Sequence, residues 1–218
     1  MIKLVAFDLD GTIGDTIPLC INAFKCAVEP YTSHELSKDE IIQTFGLNEE
    51  GMIRQVTGEN WQEALDDFYV YYKQMHYQSC ATPFNGIMEI IQELKRKTIL
   101  VALITGKGER SCSITLEQFN MNDCFDCIET GSSLYNRKAE AISKLLEKYC
   151  LQSNEFIYIG DAVSDVLACR EINVKCLSAA WAKGVDVKKL EGINLGNVIP
   201  SITNLKKRLQ ILIEEQSL

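Results

Sequence analysis

Two aspartates separated by one residue close the first apolar run of the chain, in Asp8-Leu9-Asp10-Gly11-Thr12. In extended backbone, residues i and i+2 point the same way, so Asp8 and Asp10 can share a site while Leu9 turns into a core. Two carboxylates this close repel each other, which calls for a bound cation or a displaced pKa. Gly11 permits a sharp turn, and Thr12 offers a hydroxyl and a backbone N–H to an anion. A second pair of acids closes another apolar run, in Gly160-Asp161-Ala162-Val163-Ser164-Asp165. A helix starting near Ala162 brings Asp165 back to what Asp161 binds. Magnesium takes hard oxygen ligands and keeps several waters, so one or two carboxylates plus substrate oxygens suffice to hold it. In Leu103-Ile104-Thr105-Gly106-Lys107, a hydroxyl and free N–H groups fall where an apolar run gives way to a helix predicted from about Glu109. That arrangement suits a phosphate oxygen. Lys138, preceded by Arg137, opens another predicted helix, where the helix dipole disfavours a cation.

The elements that must position these groups follow from hydrophobic spacing. Residues 2–7, 98–104 and 155–159 are short, nearly continuous apolar runs, the pattern of strands covered on both faces. Shorter strand candidates are 126–128, 174–177 and 197–199. Helical faces lie between them: Ile87, Ile90, Ile91 and Leu94; Ile142, Leu145, Leu146 and Tyr149; Val166, Leu167 and Ile172. A last helix from about Ser201 presents Ile202, Leu205, Leu209 and Leu212. Strands alternating with helices predict an α/β fold with a Rossmann-like parallel sheet. Ligands of such sheets bind beyond the carboxyl ends of the strands, where Asp8, Thr105 and Asp161 fall.

Residues 16–81 break the alternation and carry no strand pattern. Ile17, Ile21, Phe24 and Val28 share a helical face, and Trp61, Leu65, Phe68, Tyr72 and Met75 form an apolar stripe. Ser37 with Glu40, and Asn60 with Glu63, have capping-box spacing. The organisation expected is therefore a core of 1–15 and 82–218 with an inserted all-helical domain at 16–81. Hinges are expected near Gly14–Thr16 and Ala81–Pro83.

Composition narrows the partners. The 218 residues carry a net charge of −8, against nucleic acid or an anionic membrane as the main partner. No apolar run reaches the roughly 18 residues of a membrane span, and the N-terminus lacks the pattern of a secretory signal. Nine cysteines without such a signal read as reduced thiols in a cytoplasmic protein. Cys124 and Cys127 form a lone C-x-x-C, which reads as two buried thiols because no second pair completes a zinc site.

The blocks DLDGT, LITGK, RK before a helix, and GDAVSD, in that order, resemble the haloacid dehalogenase superfamily. The likeness spans essentially the whole chain. It is closest to the branch with a helical cap after the first block, which includes phosphoglycolate phosphatase and β-phosphoglucomutase. That resemblance implies that Asp8 is a nucleophile forming an aspartyl-phosphate and Asp10 the general acid and base. It further implies that Thr105, Gly106 and Lys138 hold the phosphoryl group, and that Asp8, Asp10 (through its carbonyl), Asp161 and Asp165 bind Mg²⁺. Gly106 stands where the family often has Asn, and Ala139 and Glu140 where prolines are common. The implied activity is hydrolysis of a small soluble phosphomonoester by a monomer or homodimer. A phosphosugar mutase and a catalytically silent phospholigand-binding domain are the alternatives. Specificity is expected on the cap, where Arg54, His34, His76, Tyr69 and the Gly46-Leu47 turn are candidates. His34 reads as a solvated loop residue and His76 as a helix-face residue.

Overall fold

The computed structural model describes residues 1–214. Its six strands are β1 (Leu4–Phe7), β2 (Leu100–Ile104), β3 (Cys127–Glu129), β4 (Phe156–Gly160), β5 (Lys175–Ala179) and β6 (Val198–Ile199). They form one sheet in the order β3-β2-β1-β4-β5-β6, with every pairing parallel. Central β1 is bonded on both sides, Phe7 lying opposite Leu103 of β2 and Ile159 of β4. The strand order reverses direction at β1, so the crevice beyond its carboxyl end is the ligand position of such sheets.

Side-chain alternation divides the core. Val5, Phe7, Leu103 and Ile159 face one side, against α5 (Ile87–Arg96), α6 (Glu109–Gln118) and α10 (Ile202–Glu214). Leu4, Ala6, Ile104 and Tyr158 face the other, against α7 (Lys138–Lys148), α8 (Val163–Glu171) and α9 (Val187–Ile193). Both faces are covered, which is why these strands read as unbroken apolar runs. The expected strands are all present, with their ends displaced by one or two residues. In α8 the expected stripe is incomplete: Val166 is buried, but Leu167 is 53% exposed.

Between β1 and α5 the chain forms α1 (Ile17–Val28), α2 (Lys38–Gln43), α3 (Glu49–Thr57) and α4 (Trp61–Ser79), with no strand among them. Helices α1 and α4 pack through Phe24, Phe68 and Tyr72, and the last two rings stack at 5.4 Å. The Ser37–Glu40 capping box forms. The one expected at Asn60 does not. Residues 58–60 already coil as a 3₁₀ turn, so Asn60 lacks the extended backbone from which an N-cap side chain reaches its target. His76 lies on a face of α4 as expected, fully buried, and neither ring nitrogen has a hydrogen-bond partner. It lies edge-on between the rings of Tyr72 and Phe119. His34 is exposed and paired with Glu40. Cys124 and Cys127 are free thiols only half-buried, against the buried expectation; each packs at the edge of a core cluster, Cys124 beside Met88 and Cys127 beside Lys148. No helix among the described residues is long and apolar enough to cross a membrane.

Candidate active site

Asp8 follows β1 directly and is 5% exposed. Its Oδ2 lies 3.0 Å from Nζ of Lys138, the first residue of α7. The same ammonium lies 2.5 Å from Asp165 Oδ1. Asp165 occupies the third position of α8, where its Oδ2 accepts the Ala162 N–H at 2.9 Å. Its Oδ1 also accepts the Tyr158 hydroxyl at 3.1 Å. The buried carboxylate of Asp165 thus holds the start of its own helix with one oxygen and Lys138 with the other, which explains a lysine at a helix start.

Asp161 follows β4 and faces Asp8 across the crevice. Oxygens of Asp8, Asp161 and Asp165 all lie within 4.8 Å of one another. Gly11, at φ +73°, makes this approach possible: a Cβ there would stand 2.2 Å from Asp161 Oδ2. Burial pushes the Asp8 carboxyl up to about 7, with Lys138 pulling it down and Asp165 and Asp10 pushing it further up. Burial, then the charge of Asp8, raises Asp161 well above the usual carboxylate range. The carboxylates of Asp165 and Asp8 more than reverse the effect of burial on Lys138 and hold it above its usual range. Asp8, Asp161 and Asp165 share one lysine, which leaves this end of the crevice short of positive charge. That donor set, all carboxylate oxygen, fits a hard divalent cation.

Asp10 belongs to a different cluster from Asp8. Its Oδ1 accepts the Thr16 hydroxyl and lies 3.3 Å from Lys107 Nζ. Lys107 is 4% exposed and lies 3.0 Å from Cys20 Sγ, 4.0 Å from Glu49 Oε1 and 4.4 Å from the centre of the Tyr72 ring. Cys20, Glu49 and Tyr72 come from the inserted helices, so one buried ammonium joins the insert to the sheet. Glu49, 6% exposed, accepts the Gly108 N–H at 2.8 Å and the Ser111 hydroxyl at 2.5 Å. A carboxylate from α3 therefore caps the start of α6, which has no side-chain cap of its own. The Asn48 N–H donates to the Ser132 carbonyl at 2.9 Å beside it.

Thr105 is buried at the end of β2, and its Oγ1 accepts the Lys107 N–H at 3.1 Å. It lines a small crevice with Gly106 and Lys138. Arg137 turns away to Glu129 and Glu140, which separates its role from that of Lys138. The Thr12 hydroxyl is buried without a partner, while the Thr12 carbonyl accepts the Trp181 indole N–H at 3.1 Å. Of the expected specificity residues, only Gly46 and Leu47 line the cavity over Asp8. Arg54 pairs with Glu50 and stacks on Trp61, and Tyr69 lies under Arg110.

Sequence reasoning missed Glu49, Cys20, Tyr72 and Tyr158. Tyr158 had a signal, since a hydroxyl in a fully buried strand needs a partner. Glu49 had none, because an acid in a first helical turn reads as a solvated partner of the dipole.

The family model of haloacid dehalogenase-like hydrolases matches residues 5–179. A pyrophosphatase PpaX from Bacillus cereus is 24% identical over 182 residues, 83% of this chain and 84% of that protein. A solved structure from Lactobacillus delbrueckii subsp. bulgaricus, proposed to be a phosphoglycolate phosphatase, superposes with TM-score 0.74 at 19% identity, covering 95% of this chain and 98% of that one. Another from Thermotoga maritima, proposed to be a β-phosphoglucomutase, gives TM-score 0.71 at 20% identity over 95% of this chain and all of that one.

Proposed function

We propose the following reaction for this chain, which belongs to the haloacid dehalogenase-like hydrolase family and is a phosphatase: magnesium-dependent hydrolysis of a small soluble phosphomonoester, with the phosphoryl group carried briefly on Asp8. The observation that supports it above all is the placing of the Asp8 carboxylate at the floor of a covered crevice, 3.0 Å from a buried ammonium.

A carboxylate nucleophile divides one difficult displacement into two easier ones. In the first, an Asp8 oxygen attacks phosphorus, the bond from phosphorus to the ester oxygen breaks, and Asp10 gives the departing oxygen a proton. In the second, water attacks phosphorus and yields a proton to Asp10. The bond from phosphorus to Asp8 then breaks and inorganic phosphate leaves. The recorded contacts of Asp10 with Thr16, Lys107 and Cys20 all engage Oδ1, which leaves proton handling to Oδ2. Lys138 faces the phosphoryl oxygens from one side, and Thr105 and the Gly106 backbone are offered from the end of β2. Asp165 is a positioning residue that fixes Lys138.

Asp8, Asp161 and the Asp10 carbonyl would hold Mg²⁺. The ion supplies neutralisation of charge on the phosphoryl oxygens, the main demand of phosphoryl transfer. The inserted helices exclude bulk water from the crevice. A cytoplasmic setting fits the nine free cysteines.

A phosphate-release screen over small phosphate esters tests the reading, run with Mg²⁺ and with EDTA on the wild-type protein and on Asp8→Asn. Release that needs Mg²⁺ and vanishes in the variant is expected. Release that survives EDTA, or that the variant retains, overturns it.

A further inference from the structure

The cavity over Asp8 has a volume of about 230 Å³, below the roughly 300–1,000 Å³ usual for drug-sized ligands. Its two ends differ sharply. Asp8, Lys138 and Asp161 stand at the floor, where the phosphoryl group is expected. The far wall is built by the inserted helices and the turn between α2 and α3: Ile17, Phe24, Phe45, Leu47, Met52 and Phe68. Among the lining residues the cations are Lys107 and Lys138 alone, and both belong to the sheet side. None of the insert's basic residues lines the cavity; the only charged group the insert contributes is Glu49, an acid.

The two lysines and Glu49 each have partners inside the protein, and neither lysine stands on the far wall. Lys138 lies between Asp8 and Asp165. Lys107 lies between Asp10 and Glu49, with the Tyr72 ring beneath it. The two Glu49 oxygens accept from Gly108 and Ser111. An anionic leaving group, whether a carboxylate or a second phosphate, would lose its water against aromatic and aliphatic side chains, with no free cation to receive it. A cationic one would find no free carboxylate on that wall. Burying an unpaired charge is the costliest option open to a ligand.

We propose that the group esterified to the phosphate is electrically neutral and apolar: the substrate is the monophosphate of a small uncharged alcohol, its carbon skeleton lying against Phe24, Leu47, Met52 and Phe68. This rests on the phosphatase reaction placed at Asp8, and it separates the chain from a pyrophosphatase or a phosphoglycolate phosphatase.

The test compares kcat/KM on n-propyl phosphate with that on phosphoglycolate, phosphoethanolamine and pyrophosphate, with p-nitrophenyl phosphate as the activity reference. n-Propyl phosphate is expected to exceed both charged esters by on the order of 10–100-fold, the penalty of leaving one charge unpaired. Phosphoglycolate, phosphoethanolamine or pyrophosphate equalling or exceeding n-propyl phosphate overturns the neutral leaving group while leaving the hydrolytic reaction intact. Failure on every ester, the reference included, overturns the reaction itself. Leu47→Lys, at a half-buried position, supplies the missing cation and is expected to raise phosphoglycolate relative to n-propyl phosphate by about tenfold. An unchanged ratio in a folded variant counts against the proposal, and should the variant not fold, the wild-type comparison decides alone.

Discussion

Replacing Lys138 by methionine keeps the length of the side chain and removes one buried positive charge from between two acids. Nζ lies 3.0 Å from Asp8 and 2.5 Å from Asp165, and breaking a buried pair by deleting one partner costs about 3–5 kcal/mol. Part of that cost depends on pH. An opposite charge at such a distance lowers a carboxyl pKa by about 1–3, and each tenfold in proton affinity is worth about 1.4 kcal/mol. In the wild-type protein without metal, burial already pushes Asp8 up to about 7. Without Lys138 it rises further. An acid whose pKa is raised on folding keeps its proton where the unfolded chain has lost it. Stability therefore falls as pH climbs from the unfolded value, about 4, through the folded one. The penalty of Lys138→Met should accordingly be larger at pH 8 than at pH 5, by about 1.0–1.4 kcal/mol, because the wild-type Asp8 gives up its proton only above about pH 7 and the window closes one unit later. Urea denaturation of both proteins at the two pH values, in EDTA, measures it. With Mg²⁺ restored, phosphate release should fall on the order of 10²–10³-fold, the usual loss when one donor to a developing charge is removed. Equal penalties at the two pH values, or activity within tenfold of wild type, would refute the assignment of Lys138.

Gly11→Ala puts a Cβ where Asp161 Oδ2 now stands, at a backbone φ of +73°. It is expected to cost about 1–3 kcal/mol in a thermal or urea melt and to raise the Mg²⁺ concentration needed for half-maximal phosphate release. An unchanged magnesium requirement would separate Gly11 from the metal position. Glu49→Ala strips the start of α6 of its two acceptor bonds from α3 and should destabilise the protein by about 1–3 kcal/mol. Glu49→Gln keeps an acceptor oxygen and should lose less; equal losses in urea melts would argue that the contact carries no specific bonding.

The parts of the fold legible in the sequence were those where one local rule governs. The runs at β1, β2 and β4 are apolar because helices cover both faces, and each ends at the polar residue it presents: Asp8, Thr105 and Asp161. The Ser37 box needed only its own four residues and formed as read. The box at Asn60 failed because the preceding turn set its backbone, which side-chain types do not reveal. The spacing of the two aspartates of the first block anticipated that both line one cavity, but not that Asp8 and Asp10 take different lysines. The site was not legible where distant segments meet. The ring of Asp10, Cys20, Glu49 and Tyr72 around Lys107 joins three helices and two loops, and no periodicity encodes that meeting. His76 was legible as a helix-face residue, but that the face is covered shows only once Phe119 is placed against it.

The account stands on a phosphoryl group carried by Asp8, and chemical trapping tests that most directly. The enzyme is quenched during turnover of its best ester, reduced with borohydride, and the peptide holding residues 8 and 10 is sequenced by mass spectrometry. An acyl-phosphate is reduced to the alcohol, so homoserine is predicted at position 8 and unchanged aspartate at position 10. Unmodified aspartate at position 8 under conditions where phosphate is being released, or reduction at position 10 instead, would contradict it.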